Sequence, residues 1–248
     1  MSLRGLYSLL PMTLRAQLAQ FRLRLGHPEL LPAARDYLFT DERLKMVHIL
    51  ECMNYLRIAG ADGSIPPVYF EFGCYSGRTF SAAVNAARFL GMDDAEFFAF
   101  DSFEGLPATV QEDDGYFEGG SFATSRDDFV RIVQQKTGKR LADRNIIQGF
   151  YARSLTPELQ ASMGKVGVVH VDVDLYSSTK ELLAFIKPLI VVGTVLIFDD
   201  WYCFAPGVNK GEMRALKEFL EEHPSFRVEE WKSYSTFGKS FFVTALPL

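Results

Sequence analysis

From Pro67 onward, short apolar runs alternate with amphipathic helical stretches, and this alternation constrains the fold more than any other feature. The runs are VYFEF (68–72), EFFAFD (96–101), NIIQG (145–149), VGVVHVDVD (166–174) and TVLIFDD (194–200). The helical stretches TFSAAVNAARFLG, SRDDFVRIVQQKTG, TKELLAFIKPLI and KGEMRALKEFLEEH lie between or after them. A strand covered on both faces reads as a near-continuous apolar run, and parallel neighbours need a crossover, usually a helix. The pattern therefore predicts an α/β, doubly wound, mostly parallel sheet. The chain closes differently. FRVEEWKSY and SFFVTALPL are joined by STFGK with no helix between them, which predicts a hairpin and an antiparallel strand at one edge.

The region before Pro67 reads as helical. It is expected to form an N-terminal extension over 1–66, serving as a cap or oligomerisation element, beside a main domain over 67–248. In LRAQLAQFRLRLG, Leu14, Leu18, Phe21 and Leu25 recur at steps of three or four, with Arg15, Arg22 and Arg24 between them. Such a helix can lie on an anionic membrane; packing on the core or on a second subunit is the preferred reading. DERLKMVHILECMNYLRIAG is a second helix, with Asp41 as N-cap and Gly60 as its stop.

Bulk charge narrows the function. A net charge of −5 and a pI near 5.5 argue against a broad basic footprint, so no nucleic-acid partner is expected. Cys52, Cys74 and Cys203 show no metal-type spacing, which suggests free thiols in a reducing, cytoplasmic compartment. No signal-peptide pattern and no membrane-length apolar run is visible, so no membrane partner is expected.

In an open α/β sheet, ligands sit at the carboxyl ends of the strands. The turn after the first strand reads Glu71-Phe72-Gly73-Cys74-Tyr75-Ser76-Gly77. Dinucleotide enzymes place G-x-G-x-x-G there for a pyrophosphate. A carboxylate in the first slot disfavours phosphate, and with it a nicotinamide-dependent dehydrogenase. It suits S-adenosylmethionine, whose ammonium and sulfonium are cationic. At the next strand end, Asp101, followed by Ser102 and Phe103, suits ribose hydroxyls. Gln148, Gly149 and Phe150, after the third strand, would flank the base.

Asp172 ends the fourth strand, and Asp199 and Asp200 end the fifth. Neighbouring parallel strands lie about 4.8 Å apart, so this trio is expected to converge. Crowded carboxylates repel unless a cation intervenes, and an all-oxygen set suits Mg²⁺ or Mn²⁺. The competing reading makes these aspartates solvated loop starters or helix caps, and Asp174 fits it. His170 reads as a satisfied core histidine and the cysteines as small fillers.

In their order, FEFGCYSGRT, FDSFEGLP, IIQGFYARSL, HVDVDLYSST and FDDWY resemble the TylF/MycF-like (macrocin type) sugar O-methyltransferases over roughly residues 67–204. The resemblance implies a class I methyltransferase (Rossmann-like) fold, S-adenosylmethionine, a divalent cation and a homo-oligomer. It places Glu71, Gly73 and Asp101 at the cofactor, with Asp172, Asp199 and Asp200 at the metal. The family's strand-four motif usually reads D-G-D-M-Y, whereas here it is Asp172-Val-Asp174-Leu-Tyr176; the aspartates persist, so the departure bears on substrate fit. The expected reaction is in-line methyl transfer to a hydroxyl of a small-molecule acceptor, with Asp172 as base. The long segment 108–128 is a candidate lid, with Tyr116 and Phe117 as covers. Two rivals are an Mg-dependent phosphotransferase or phosphatase of D-x-D type and a non-catalytic methyltransferase-like binding module. In the D-x-D class that strand normally comes first in the chain, and here it is fourth.

Overall fold

The computed structural model describes residues 31–110, 113, 117–204 and 208–247. The basic stretch at 13–25 and Tyr116 lie outside them. The chain forms two compact units, Met1–Arg43 and Leu44–Leu248. Helix α1 runs Leu31–Ala59, so Asp41 lies inside it and not at its N-cap. After Ala59 comes a 3₁₀ turn, Gly60–Asp62, closed by Gly63 in the left-handed conformation, whose N–H bonds the Gly60 carbonyl. Glycine is required at 60 because a Cβ there would stand 2.5 Å from the Ile65 carbonyl oxygen.

The larger unit is a seven-stranded sheet. Its strands are β1 Val68–Phe72, β2 Glu96–Asp101, β3 Ile146–Gln148, β4 Val166–Val171, β5 Ile190–Phe198, β6 Arg227–Ser233 and β7 Lys239–Ala245. The order is β3-β2-β1-β4-β5-β7-β6. The first five are mutually parallel, while β7 runs antiparallel to β5 and to β6. The C-terminal hairpin thus contributes two strands, with β7 inserted next to β5. The helices of this unit are α2 Arg78–Phe89, α3 Arg126–Thr137, α4 Tyr151–Ser154, α5 Pro157–Ser162, α6 Tyr176–Ile186 and α7 Gly211–Glu222.

Alternation along the buried strands feeds two cores. Tyr69, Phe97, Val168 and Ile197 pack with Cys52, Met53 and Leu56 of α1, with Phe80 of α2 and with Phe129 of α3. Phe70, Phe72, Val169 and Leu196 pack with Leu182 and Ile186 of α6 and with Leu216 and Phe219 of α7. Helices on both faces of a parallel sheet are what the continuous apolar runs require.

Two boundaries differ from the sequence expectation. Helix α6 stops at Ile186, with Lys187 still helical as its C-cap, because Pro188 has no N–H to continue the ladder. Strand β5 begins at Ile190, earlier than the TVLIFDD run, and contains Gly193 at φ 93°, where the β4–β5 register shifts. A Cβ at Gly193 would fall 2.4 Å from Ile65 Cδ1. A glycine-bearing irregularity inside a strand looks like a turn when only the sequence is read.

Candidate active site

The strand order reverses between β2-β1 and β4-β5, which opens a crevice at the carboxyl tips of β1 and β4. The ladder continues into the loops there. Asp172 N–H donates to the Phe72 carbonyl, and Asp199 N–H donates to the Val171 carbonyl, both at 2.9 Å. The tips are tight: Gly73 sits at φ 80°, and a Cβ on it would fall 1.7 Å from the Asp172 carbonyl oxygen. Close approach of two backbone segments alone requires glycine at 73.

Glu71 is fully buried. Its carboxylate accepts the Tyr69 hydroxyl at 2.6 Å and the Thr79 hydroxyl at 2.8 Å; His170 Nδ1 lies 3.4 Å from it. The sequence pictured a bare carboxylate at a ligand, whereas the charge lies one layer beneath the turn. Every oxygen of it has a protein partner, as a buried charge demands. His170 is the partnered core histidine that its strand position implies.

Asp101 organises the turn. Its Oδ2 accepts the N–H groups of Cys74 at 2.6 Å and Tyr75 at 3.0 Å, and its Oδ1 accepts the Phe103 N–H at 2.7 Å. Two of these donors belong to residues in the left-handed region, Tyr75 (φ 41°) and Phe103 (φ 58°). Such a conformation costs about 1–2 kcal/mol per non-glycine residue, and the carboxylate offsets it. Asp101 also stands opposite Gln148, and its carbonyl accepts the Gly149 N–H at 2.9 Å. The β1, β2 and β3 tips are thereby one hydrogen-bonded unit. Within it, several residues expected at the cofactor commit their side chains elsewhere. Phe72 stacks on Phe100 at 4.2 Å, and the Phe103 ring packs on Phe129. Cys74 Sγ points at the Glu71 carbonyl, and the Ser102 hydroxyl donates to the Gly105 carbonyl. These four can offer a ligand only main-chain atoms. Tyr75 and Gln148 are exposed, and Ser76, Gly149 and Phe150 are half-exposed.

On the other side of the crevice, five carboxylates gather: Asp172, Asp174, Asp199, Asp200 and Glu212. Burial, then the charges of Asp199 and Asp200, push Asp172 well above the ordinary carboxylate range. Burial, then Asp174 and Asp199, do the same to Asp200. Burial and then Asp172 raise Asp174 to about 7, and it hydrogen-bonds to Asp200. Glu212, in the first turn of α7, receives the Asp200 N–H at 3.0 Å. Lys45, from α1, places Nζ 2.5 Å from Asp199 Oδ2, and Tyr234 donates its hydroxyl to Asp199 Oδ1 at 2.9 Å. The expected trio thus lies at neighbouring strand tips but is not drawn around one point. Asp199 turns to Lys45 and Tyr234, and Asp200 to Asp174. Among the described residues, no three His, Cys, Asp or Glu side chains form a set arranged to hold a metal.

Sequence reading missed Lys45, Glu212 and Tyr234. Glu212 carried a faint signal as an acid in a helix's first turn. Lys45 and Tyr234 reach the site from distant segments and carried none. It also assigned Asp174 to a loop start; at φ 60° it does turn the chain, and its carboxyl joins the cluster.

The candidate lid is anchored at described points. Asp113 is buried and accepts the Ser177 N–H at 2.9 Å and hydroxyl at 3.0 Å, which satisfies an open donor at the start of α6. Gly120 N–H and the Leu106 carbonyl pair at 2.8 Å. Phe117 meets Phe204 edge-on. Among the described residues, no helix is long and apolar enough to cross a membrane.

The profile of the macrocin-O-methyltransferase (TylF) family matches residues 32–225. A curated relative, demethyldecarbamoylnovobiocin O-methyltransferase of Streptomyces niveus, is 26% identical over 151 residues, 58% of this chain and 56% of the relative. The match therefore spans little more than half of that relative's length. Two solved structures share the fold. The O-methyltransferase NovP superposes with a TM-score of 0.65 at 21% identity, covering 82% of this chain and 80% of that chain. CalS11, a calicheamicin methyltransferase, gives 0.62 at 20% identity, covering 94% and 93%.

Proposed function

The chain belongs to the macrocin-O-methyltransferase (TylF) family, and from that premise we propose that it methylates a hydroxyl of a sugar or natural-product scaffold, using S-adenosylmethionine and a divalent cation. The observation that carries this reading is the two-sided crevice: a hydrogen-bonded turn unit around Asp101 on one side, a carboxylate cluster on the other. The relatives' names point to natural-product scaffolds as the acceptor class.

The chemistry of the donor set, though not its present arrangement, suits the ion. Asp172, Asp199 and Asp200 offer hard oxygens at adjacent strand tips, and their mutual repulsion, evident in the raised Asp172 and Asp200, is what a cation relieves. When bound, S-adenosylmethionine supplies an electrophilic methyl with a neutral leaving group, and a divalent ion supplies Lewis acidity toward the acceptor hydroxyl. The protein does the rest. Asp101 and the turn it braces hold the nucleoside end, through main-chain groups of 73–77 and the exposed surface of Tyr75. Asp172, ionised where a cation offsets the charges of Asp199 and Asp200, would receive the hydroxyl proton on a carboxylate oxygen. Base assistance of this kind contributes on the order of 10²–10⁴-fold. Alignment of the two reactants contributes about 7–11 kcal/mol, which is why the turn is built rigid. Closure of the 108–128 segment would exclude water from this alignment. Homo-oligomerisation and a cytoplasmic setting belong to the same reading.

The test separates binding from turnover. Asp199→Ala should retain S-adenosylhomocysteine binding by calorimetry and lose turnover. Retention of both would remove the metal-assisted reading.

A further inference from the structure

We propose that Lys45 is a built-in counter-ion for Asp199, and that a divalent cation gains Asp199 only by displacing it. This rests on the reading of Asp172, Asp199 and Asp200 as metal ligands given above. Both oxygens of Asp199 are already committed, Oδ2 to Lys45 Nζ at 2.5 Å and Oδ1 to the Tyr234 hydroxyl at 2.9 Å. The Asp199 side chain is 6% exposed and that of Lys45 22%. The carboxylate is therefore closed to solvent while the ammonium stands nearer to it.

A bound Mg²⁺ requires an oxygen at about 2.0–2.1 Å in near-octahedral geometry. An ammonium on that same oxygen would then face the ion within a few ångströms, at strongly repulsive energy. A carboxylate oxygen keeps a second lone pair, so the neutral Tyr234 hydroxyl is compatible with a bound ion, whereas the Lys45 ammonium is repelled by it. The Tyr234 ring is buried and stacks on His48 at 4.3 Å, so it has little freedom. Lys45 is a compact charge on a flexible four-carbon stem. It is the group built to swing away.

The arrangement has a use in the ion-free chain. A buried carboxylate without a partner is strongly destabilising, and Lys45 supplies that partner from α1, across 154 residues of sequence. The same contact sets a threshold: the ion has to out-compete an ion pair as well as shed water. It also accounts for the trio being adjacent but not preassembled.

Mn²⁺ is the probe, titrated against the full chain and followed by the paramagnetic resonance of the free ion. Lys45→Met keeps the stem length and removes charge and donor. It should bind Mn²⁺ at least tenfold more tightly than the wild type, about 1.4 kcal/mol, while Lys45→Arg binds no more tightly than wild type. Equal or weaker binding by Lys45→Met, with the wild type still binding, overturns the role of Lys45 and leaves the metal reading intact. No Mn²⁺ binding by either protein, with S-adenosylhomocysteine still bound, removes the metal reading and this inference together. A wild-type crystal soaked in MnCl₂ needs no variant. It should show an anomalous peak at Asp199 with Lys45 Nζ beyond hydrogen-bonding distance, and an ion and Nζ on the same oxygen would refute the displacement.

Discussion

Replacing Asp101 with Asn is a sharp probe of the turn unit, because it keeps shape and removes one acceptor and the charge. The wild-type carboxylate accepts three main-chain N–H groups, from Cys74, Tyr75 and Phe103. An amide has a single acceptor oxygen. Its best orientation points that oxygen at Cys74 and Tyr75 and turns the NH₂ group toward the Phe103 N–H, losing that bond. Hydrogen bonds to charged groups contribute about 1.5–3 kcal/mol and neutral ones about 0.5–1.5 kcal/mol. One lost charged bond and two weakened ones total about 4 kcal/mol. Tyr75 is exposed, so water recovers part of this, leaving about 2–3 kcal/mol. Meanwhile Tyr75 and Phe103 lose what holds them at φ 41° and 58°, and the turn relaxes out of its ligand-ready form. Cofactor affinity should therefore fall about 30–150-fold. The assay is calorimetric titration with S-adenosylhomocysteine, beside a thermal melt to confirm folding. An affinity within threefold of wild type in a folded variant would refute the claim that Asp101 preorganises the site.

Other substitutions extend the test. Glu71→Ala takes the acceptor from the Thr79 hydroxyl and leaves the buried Tyr69 hydroxyl to His170 Nδ1 alone, 3.0 Å away; at about 1–3 kcal/mol for an unsatisfied group, a loss near 2 kcal/mol should lower the melting temperature by about 4–8 °C, visible by circular dichroism. Gly73→Ala places a methyl 1.7 Å from the Asp172 carbonyl at φ 80°; it should destabilise the chain by about 3 kcal/mol or more in urea denaturation and abolish cofactor binding. His48 gives a pH signature. Burial lowers it to about 4 from an ordinary 6.5, so the unfolded chain binds the extra proton between those values and stability falls as pH drops through that window. At pH 5.5 the loss from His48 is about 1.4 kcal/mol, and His48→Gln should flatten that part of a stability–pH curve.

The parts of the fold that follow from local pattern were open to sequence reading. VYFEF and EFFAFD are strands with the bounds the apolar runs imply, and Ser125 and Gly138 bracket α3 as cap and stop. What stayed hidden was set by tertiary contact. The start of β5 is masked by Gly193, whose conformation answers to Ile65 and Tyr55. The extension of α1 back to Leu31 overrode the capping preference of Asp41. At the site, the residue types and their order at strand tips were legible, because topology alone puts residues 71, 101, 172 and 199 at one end of the sheet. Their partners were not. That Glu71 faces Tyr69 and His170 depends on the β1–β4 register, and that Asp199 meets Lys45 depends on how α1 packs across the sheet.

The most direct measurement is transfer itself: S-adenosylmethionine carrying an isotopically labelled methyl, a panel of deoxysugar and phenolic acceptors, Mg²⁺ present, products read by mass spectrometry. The account predicts labelled methyl on an acceptor oxygen with the wild type, and none with Asp172→Asn although that variant still binds S-adenosylhomocysteine. Undiminished transfer by Asp172→Asn, or a wild type that takes up no S-adenosylmethionine, would contradict it.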